Sequence, residues 1–217
     1  MAGSATDAVM KFLWISGWAV PPVWLAALAR REWPDAEHTG CTPSGAENEF
    51  AAEKYDAIGG YSLGALWLMR HAERVPVKMP VILLAPVFAF TAEQGSGGRV
   101  ALAQLRLQRR RLRASPRSAL IDFSERAGLA ELFPVVGEPN PEALTALDEE
   151  LGWLETWQAP PPASGSWQGF VGEQDALLDA VVLKRIWPAL EIVPGATHAP
   201  APLLRAAKNA FLGGRQP

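Results

Sequence analysis

Residues Gly60-Tyr61-Ser62-Leu63-Gly64 join an apolar run that ends at Gly59 to a helix-like run, residues 65–71. A serine with glycine two places before and two places after it fits a sharp strand-to-helix turn. The missing Cβ atoms let strand and helix approach, and the strained turn lifts the serine hydroxyl above the sheet edge. A strand must therefore lead in, a helix must follow, and Ser62 must stand at the strand's carboxyl end. The plain alternative is a structural glycine turn in which the serine caps the next helix. With 19 glycines in the chain, the five-residue pattern also arises by chance, so the remaining residues have to decide.

Residues 11–16 are a short apolar run closed by Gly17, as expected for a strand buried on both faces, and Pro21-Pro22 opens a helix-like segment through Arg31. A second short strand is expected over 36–41, then a loop over 42–45 and a short helix over 47–54. Residues 56–61 predict a strand, 63–74 its helix and 79–86 another buried strand. Alternating strands and helices imply a parallel sheet covered on both faces, with ligands gathering beyond the strands' carboxyl ends. The alternation stops after Pro86 and resumes near Trp167, beyond the Pro-rich linker 160–165. Between them, 100–113, 118–126 and 141–157 favour helices. A helix over 176–190, a strand over 191–194 and a helix over 202–212 complete the chain. The expected class is α/β: a mostly parallel sheet with helices on both faces, its core drawn from 11–90 and 165–217. Residues 91–164 are expected to form a helical lid insertion, and 1–10 a disordered leader.

At 217 residues and 49% hydrophobic content, one well-buried domain with an insertion is the natural size. The single cysteine, Cys41, forms no intrachain disulfide, and no Cys/His cluster has metal-ligand spacing, so neither a metal nor a cofactor is expected. A reducing cytoplasm fits best. No run approaches bilayer length and residues 1–10 lack a charged start and apolar centre, so neither membrane insertion nor secretion is expected. The net charge of −3 gives no footprint for nucleic acid. The charges are nevertheless split. Arg99, Arg106, Arg109, Arg110, Arg111, Arg113 and Arg117 occur with no acid among them, whereas Glu131, Glu138, Glu142, Asp148, Glu149, Glu150 and Glu155 follow.

Serine is a weak nucleophile at neutral pH and needs a base, for which a neutral imidazole is suited. Of three histidines, His198 follows an expected strand and a glycine turn, on the same sheet edge as Ser62. His71 lies about 2.5 turns along the helix after Ser62 and is carried away from it, and His38 falls in the second strand and loop, where solvation or a capping role is expected, with substrate contact as the alternative. The base needs an acceptor on its other ring nitrogen; Asp175, where residues 169–172 run out into polar sequence, fits that role, with Glu173 and Asp179 as local rivals. The backbone N–H groups of Leu63 and Trp18 are the candidate oxyanion donors. Trp67, Phe88, Phe90, Trp153 and Trp157 are candidate pocket walls, although aromatics there more often pack core or lid.

The chain order Ser62, Asp175, His198 is that of the α/β-hydrolases. With Ser16-Gly17-Trp18-Ala19, Gly172-Glu173-Gln174-Asp175 and Gly195-Ala196-Thr197-His198-Ala199, the sequence from Phe12 to Leu212 resembles a compact member of that superfamily. Within it, the Gly-Trp turn, the aromatic before the serine and the arginine-bearing lid resemble the pimeloyl-acyl-carrier-protein methyl ester esterases of biotin synthesis. The resemblance implies removal of a methyl ester from an acyl chain held on an acidic carrier protein. On one long helix Arg106, Arg110, Arg113 and Arg117 would share a face and, with Arg109, steer that partner, unless Pro116 ends the helix first. A solvated face, or pairing with the acidic part of the lid, are the other readings of these arginines. A small-molecule carboxylesterase or lactonase, and a hydrolase-like binding protein without activity, are the alternative functions.

Overall fold

The computed structural model describes residues 9–130, 139–163 and 165–213; most of the expected leader, together with Glu131 and Glu138, lies outside them. Six strands are β1 (Lys11–Ile15), β2 (Glu37–Cys41), β3 (Ala57–Tyr61), β4 (Val81–Leu84), β5 (Trp167–Gly172) and β6 (Glu191–Val193). They form one parallel sheet in the order β2-β1-β3-β4-β5-β6. Every residue of β3 and β4 is buried, which explains why both strands are apolar without alternation. The chain leaves β1 toward β2 and returns to the other side of β1 as β3, with Ile15 opposite Gly60. The crevice beyond the carboxyl ends of β1 and β3 is therefore the topological switch point, where such sheets bind ligands.

Helices α1 (Pro22–Glu32) and α8 (Pro200–Gly213) pack together on one face. There Phe12 of β1 meets Trp33 and Phe211, and Trp14 meets Trp33. His38 sits among these rings. It accepts the Trp14 indole N–H at Nδ1 (3.0 Å), and its Nε2–H donates to the Trp33 carbonyl (3.0 Å). Burial holds its pKa below the ordinary value, partly offset by the Trp33 carbonyl. It is thus buried in the core rather than solvated, contrary to the sequence expectation. Helix α3 (Leu63–Arg70) covers the opposite face so closely that a Cβ on Gly60 would lie 2.8 Å from the Ala65 backbone.

Several element boundaries differ from the sequence expectation. The stretch 42–45, read as a loop, instead begins α2 (Pro43–Glu49): Thr42 is the N-cap, accepting the Gly45 N–H at 2.9 Å, and Pro43 fills the first helical position. Helix α3 stops at Arg70, and residues 72–74 form a separate 3₁₀ turn. Helix α7 (Ala180–Ile186) starts four residues later than expected, because Asp179 caps it by accepting the Val181 and Val182 N–H groups.

After β4 the chain runs along the loop that follows β5, where the Arg99 N–H donates to the Leu177 carbonyl at 2.9 Å. It then forms α4 (Leu102–Ala114), α5 (Pro116–Arg126) and α6 (Pro141–Thr156). The Ala159 N–H donates to the Phe88 carbonyl (2.9 Å) and closes the excursion at its base.

Candidate active site

Ser62 follows β3 with φ 54° and ψ −112°, a conformation that costs a non-glycine residue about 1–3 kcal/mol. The surroundings over-determine it. Its N–H donates to the Leu84 carbonyl (2.9 Å), and its carbonyl accepts from Leu66 (3.1 Å). Gly64 presses on the Ile15 and Ser16 carbonyls and leaves no room for a Cβ. The hydroxyl lies 3.1 Å from His198 Nε2, and His198 Nδ1 lies 2.7 Å from Asp175 Oδ2. Asp175 is fully buried, and its Oδ1 accepts the Leu177 and Leu178 N–H groups at 2.8 and 3.0 Å. A carboxylate so placed requires the proton on Nδ1, leaving Nε2 free to accept from Ser62.

The rivals point elsewhere: Glu173 accepts the Gly195 N–H, and Asp179 caps α7 and bonds Arg99. His71 stacks on Trp67 at the far end of α3. Two supporting residues carried no distinct signal in the sequence. The Tyr61 hydroxyl donates to the His198 carbonyl (3.0 Å), and Arg99 donates to the Asp175 carbonyl (2.9 Å), so the loops of base and acid are each tied down.

Leu63 opens α3, so its N–H has no helical acceptor four residues back. The Gly17–Val20 turn is closed by the Val20 N–H to the Gly17 carbonyl (3.1 Å) and places Ala19 at φ 58°. A Cβ on Gly17 would lie 3.2 Å from the Ser62 Cβ, so the turn abuts the serine. The Trp18 side chain does separate work, donating to the Leu147 carbonyl of α6 (2.9 Å) and meeting Phe123 of α5 edge-on.

The lid arginines do not form the expected stripe. Pro116 starts a new helix, which puts Arg117 on α5 while the other four lie on α4. Arg109 and Arg113 each grip Asp148 of α6 through two bonds of 2.8–3.0 Å, and Arg106 bonds Glu155 at 2.7 Å. The Arg109 hydrogen bond leads in pulling the Asp148 pKa down to about 2. Arg110 and Arg117 are exposed, with no ion pair among the described residues. The aromatic candidates pack core and lid: Trp67, Phe88 and Phe90 are buried in the core, and Trp153 stacks on Trp157 at 4.4 Å.

A cavity of about 410 Å³ is lined by Gly17, Ala19 and Val20 of the turn after β1 and by Ser44 of α2 and Leu147 and Glu150 of α6. Glu150 is 3% exposed, and burial pushes its pKa up to about 7 against the opposing bonds from Ser44. Another cavity, of about 300 Å³ beside Val75 and Trp167, lies by the amino-terminal end of β5, away from the serine.

No family model and no curated protein matches the sequence. Solved structures do. An esterase, EaEST from Exiguobacterium antarcticum, is 10% identical and superposes with a TM-score of 0.74 over 94% of this chain and 91% of its own. The chain has the α/β-hydrolase fold. BioG from Haemophilus influenzae is 14% identical with a TM-score of 0.55, over 89% and 91% of the two chains. The bottromycin epimerase BotH, solved with bottromycin A2, is 14% identical with a TM-score of 0.60, over 96% and 91%. An esterase and an epimerase on one fold leave the reaction to be argued from the side chains. Among the described residues no helix is long and apolar enough to cross a membrane, and no group of three or more His, Cys, Asp or Glu side chains has metal-site geometry.

Proposed function

We propose that this α/β-hydrolase-fold protein is a serine carboxylic ester hydrolase. The observation that carries the reading is the continuous path from Ser62 Oγ through His198 to Asp175, at 3.1 and 2.7 Å, behind a serine held in strained backbone. The Ser62 oxygen bonds to the ester carbonyl carbon while its proton passes to His198 Nε2, and Asp175 stabilises the imidazolium. The Leu63 and Trp18 N–H groups receive the developing oxyanion; losing one such donor typically costs about 3–4 kcal/mol. His198 then protonates the departing alkoxide. Water adds to the acyl-serine carbonyl and gives a proton to the same nitrogen; the acyl–Oγ bond then breaks, His198 returns that proton to Ser62 Oγ, and the acid leaves. Ser62→Ala should cost several orders of magnitude in kcat/KM on an activated ester. A wild type that neither hydrolyses such esters nor reacts with a serine-directed phosphonate would be a binding protein instead.

For the substrate, the sequence resemblance supports a pimeloyl-acyl-carrier-protein methyl ester, with exposed Arg110 and Arg117 as the cations open to an acidic carrier. A small-molecule ester or lactone is the second reading, favoured by the engagement of Arg106, Arg109 and Arg113 with Asp148 and Glu155. Charge reversal at Arg110 and Arg117 separates them. Hydrolysis of a carrier-bound methyl ester should fall about tenfold or more while a short aryl ester is unaffected; equal effects on both dismiss carrier docking.

A further inference from the structure

Glu150 stands out because of what surrounds its neighbour. Two residues earlier on α6, Asp148 is neutralised by two arginines, whereas Glu150 is more deeply buried and has no cation beside it. Its Oε1 accepts the Ser44 N–H at 3.1 Å, and the Ser44 hydroxyl lies against the same carboxyl. Among the described residues, no Lys, Arg or His lines the cavity alongside Glu150, and Glu142 adds a second carboxyl to its wall. A buried carboxyl without a counter-ion is costly and calls for an explanation beyond packing.

The residues that line the cavity assign its occupant. The leaving alkoxide of an ester must lie beside His198, which hands it a proton. The cavity touches no residue of the His198 loop and is lined instead by Gly17 and Ala19 of the turn that abuts Ser62. The acyl arm is what remains to fill it.

We infer that this cavity is the acyl subsite, and that Glu150 selects an apolar acyl arm tipped by a hydrogen-bond donor over one tipped by an anion. The inference rests on the ester-hydrolase reading and deepens it. Hydroxyl, amide N–H and ammonium tips meet an acceptor there, while a carboxylate tip meets like charge once Glu150 is ionised. Val20, Leu147 and the prolines at the start of α1 supply the apolar walls along the way.

The test, run at about pH 8.5 so that Glu150 is ionised, uses four p-nitrophenyl esters with one linear six-carbon acyl arm, ending in methyl, hydroxyl, ammonium or carboxylate. With the wild type, the hydroxyl and ammonium tips should match or exceed the methyl ester in kcat/KM, and the carboxylate tip should fall about tenfold or more below it. In Glu150→Gln the ammonium-to-carboxylate ratio should shrink by at least about tenfold, since only the exposed Glu142 carboxyl is left to separate them. A carboxylate-tipped ester as fast as the methyl ester in the wild type overturns the inference, as does an unchanged ratio in Glu150→Gln. If that variant does not fold, the wild-type series still decides. Failure of the plain methyl-tipped ester to react at all would instead bring down the hydrolase reading, and the subsite with it.

Discussion

The Tyr61 hydroxyl donates to the main-chain carbonyl of His198 at 3.0 Å, so the residue immediately before the serine holds the loop that carries the base. Burial keeps the phenol well above its ordinary pKa, and it remains a donor across any working pH. Tyr61→Phe keeps the ring but strands a buried carbonyl, at a cost of about 1–3 kcal/mol. The expected outcome is a lower melting temperature and a kcat reduced about tenfold with KM little changed, read by steady-state kinetics. Unaltered kcat would show that the loop needs no such tie.

The lid is fastened at two places on one turn of α6, by Trp18 to the Leu147 carbonyl and by Arg109 and Arg113 to Asp148. Asp148 has a folded pKa near 2, below its ordinary 3.8, so its contribution is present above about pH 4 and is lost as pH falls through 2. Asp148→Asn should lower stability at neutral pH by about 1–2 kcal/mol once solvent screening is allowed for. Urea unfolding in low and high salt checks this, and the difference between wild type and variant should narrow in high salt.

Much of the site was legible because it depends on local chain geometry. Ser62, Asp175 and His198 lie in the turns that follow β3, β5 and β6, and a parallel sheet brings the carboxyl ends of its strands to one edge. The start of α2 was missed because Thr-Pro-Ser-Gly reads as a turn, although Thr42 and Pro43 are also good cap and first-turn residues. The arginine pairing was harder to see. It depends on how α4 crosses α6, and nothing in a charge run thirty-five or more residues from its acids fixes that crossing. Glu150 was hidden inside an acidic triplet, yet it stands on the α6 side that carries Leu147, Leu151 and Leu154, and that phase was a usable signal.

Stability should depend on pH through His38. Its folded pKa is lowered by burial, so the unfolded chain binds a proton more readily; its contribution is complete above about pH 6.5 and falls as pH drops. Glu150 acts oppositely. With a folded pKa raised to about 7, its contribution is complete below about pH 4.5 and is lost as pH rises through 7. Unfolding free energies of wild type and His38→Gln between pH 7.5 and pH 5 isolate the first effect. The wild type should lose more stability over this interval than the variant, and parallel curves would place the acid sensitivity elsewhere.

Ser62 occupies a backbone region that suits glycine, and the fold bears that strain to present the hydroxyl. Ser62→Gly removes the nucleophile and the strain together. Relief of about 1–3 kcal/mol is opposed by the greater unfolded-state freedom of glycine, about 0.5–1 kcal/mol, for a net gain near 1 kcal/mol. The variant should therefore melt at a higher temperature than the wild type while losing hydrolysis by several orders of magnitude. Ser62→Ala, which deletes the hydroxyl and keeps the Cβ, should lose activity without that gain. Equal melting temperatures for the two variants would mean that the strained φ is accommodated at no cost and that the elbow stores none of the strain assigned to it.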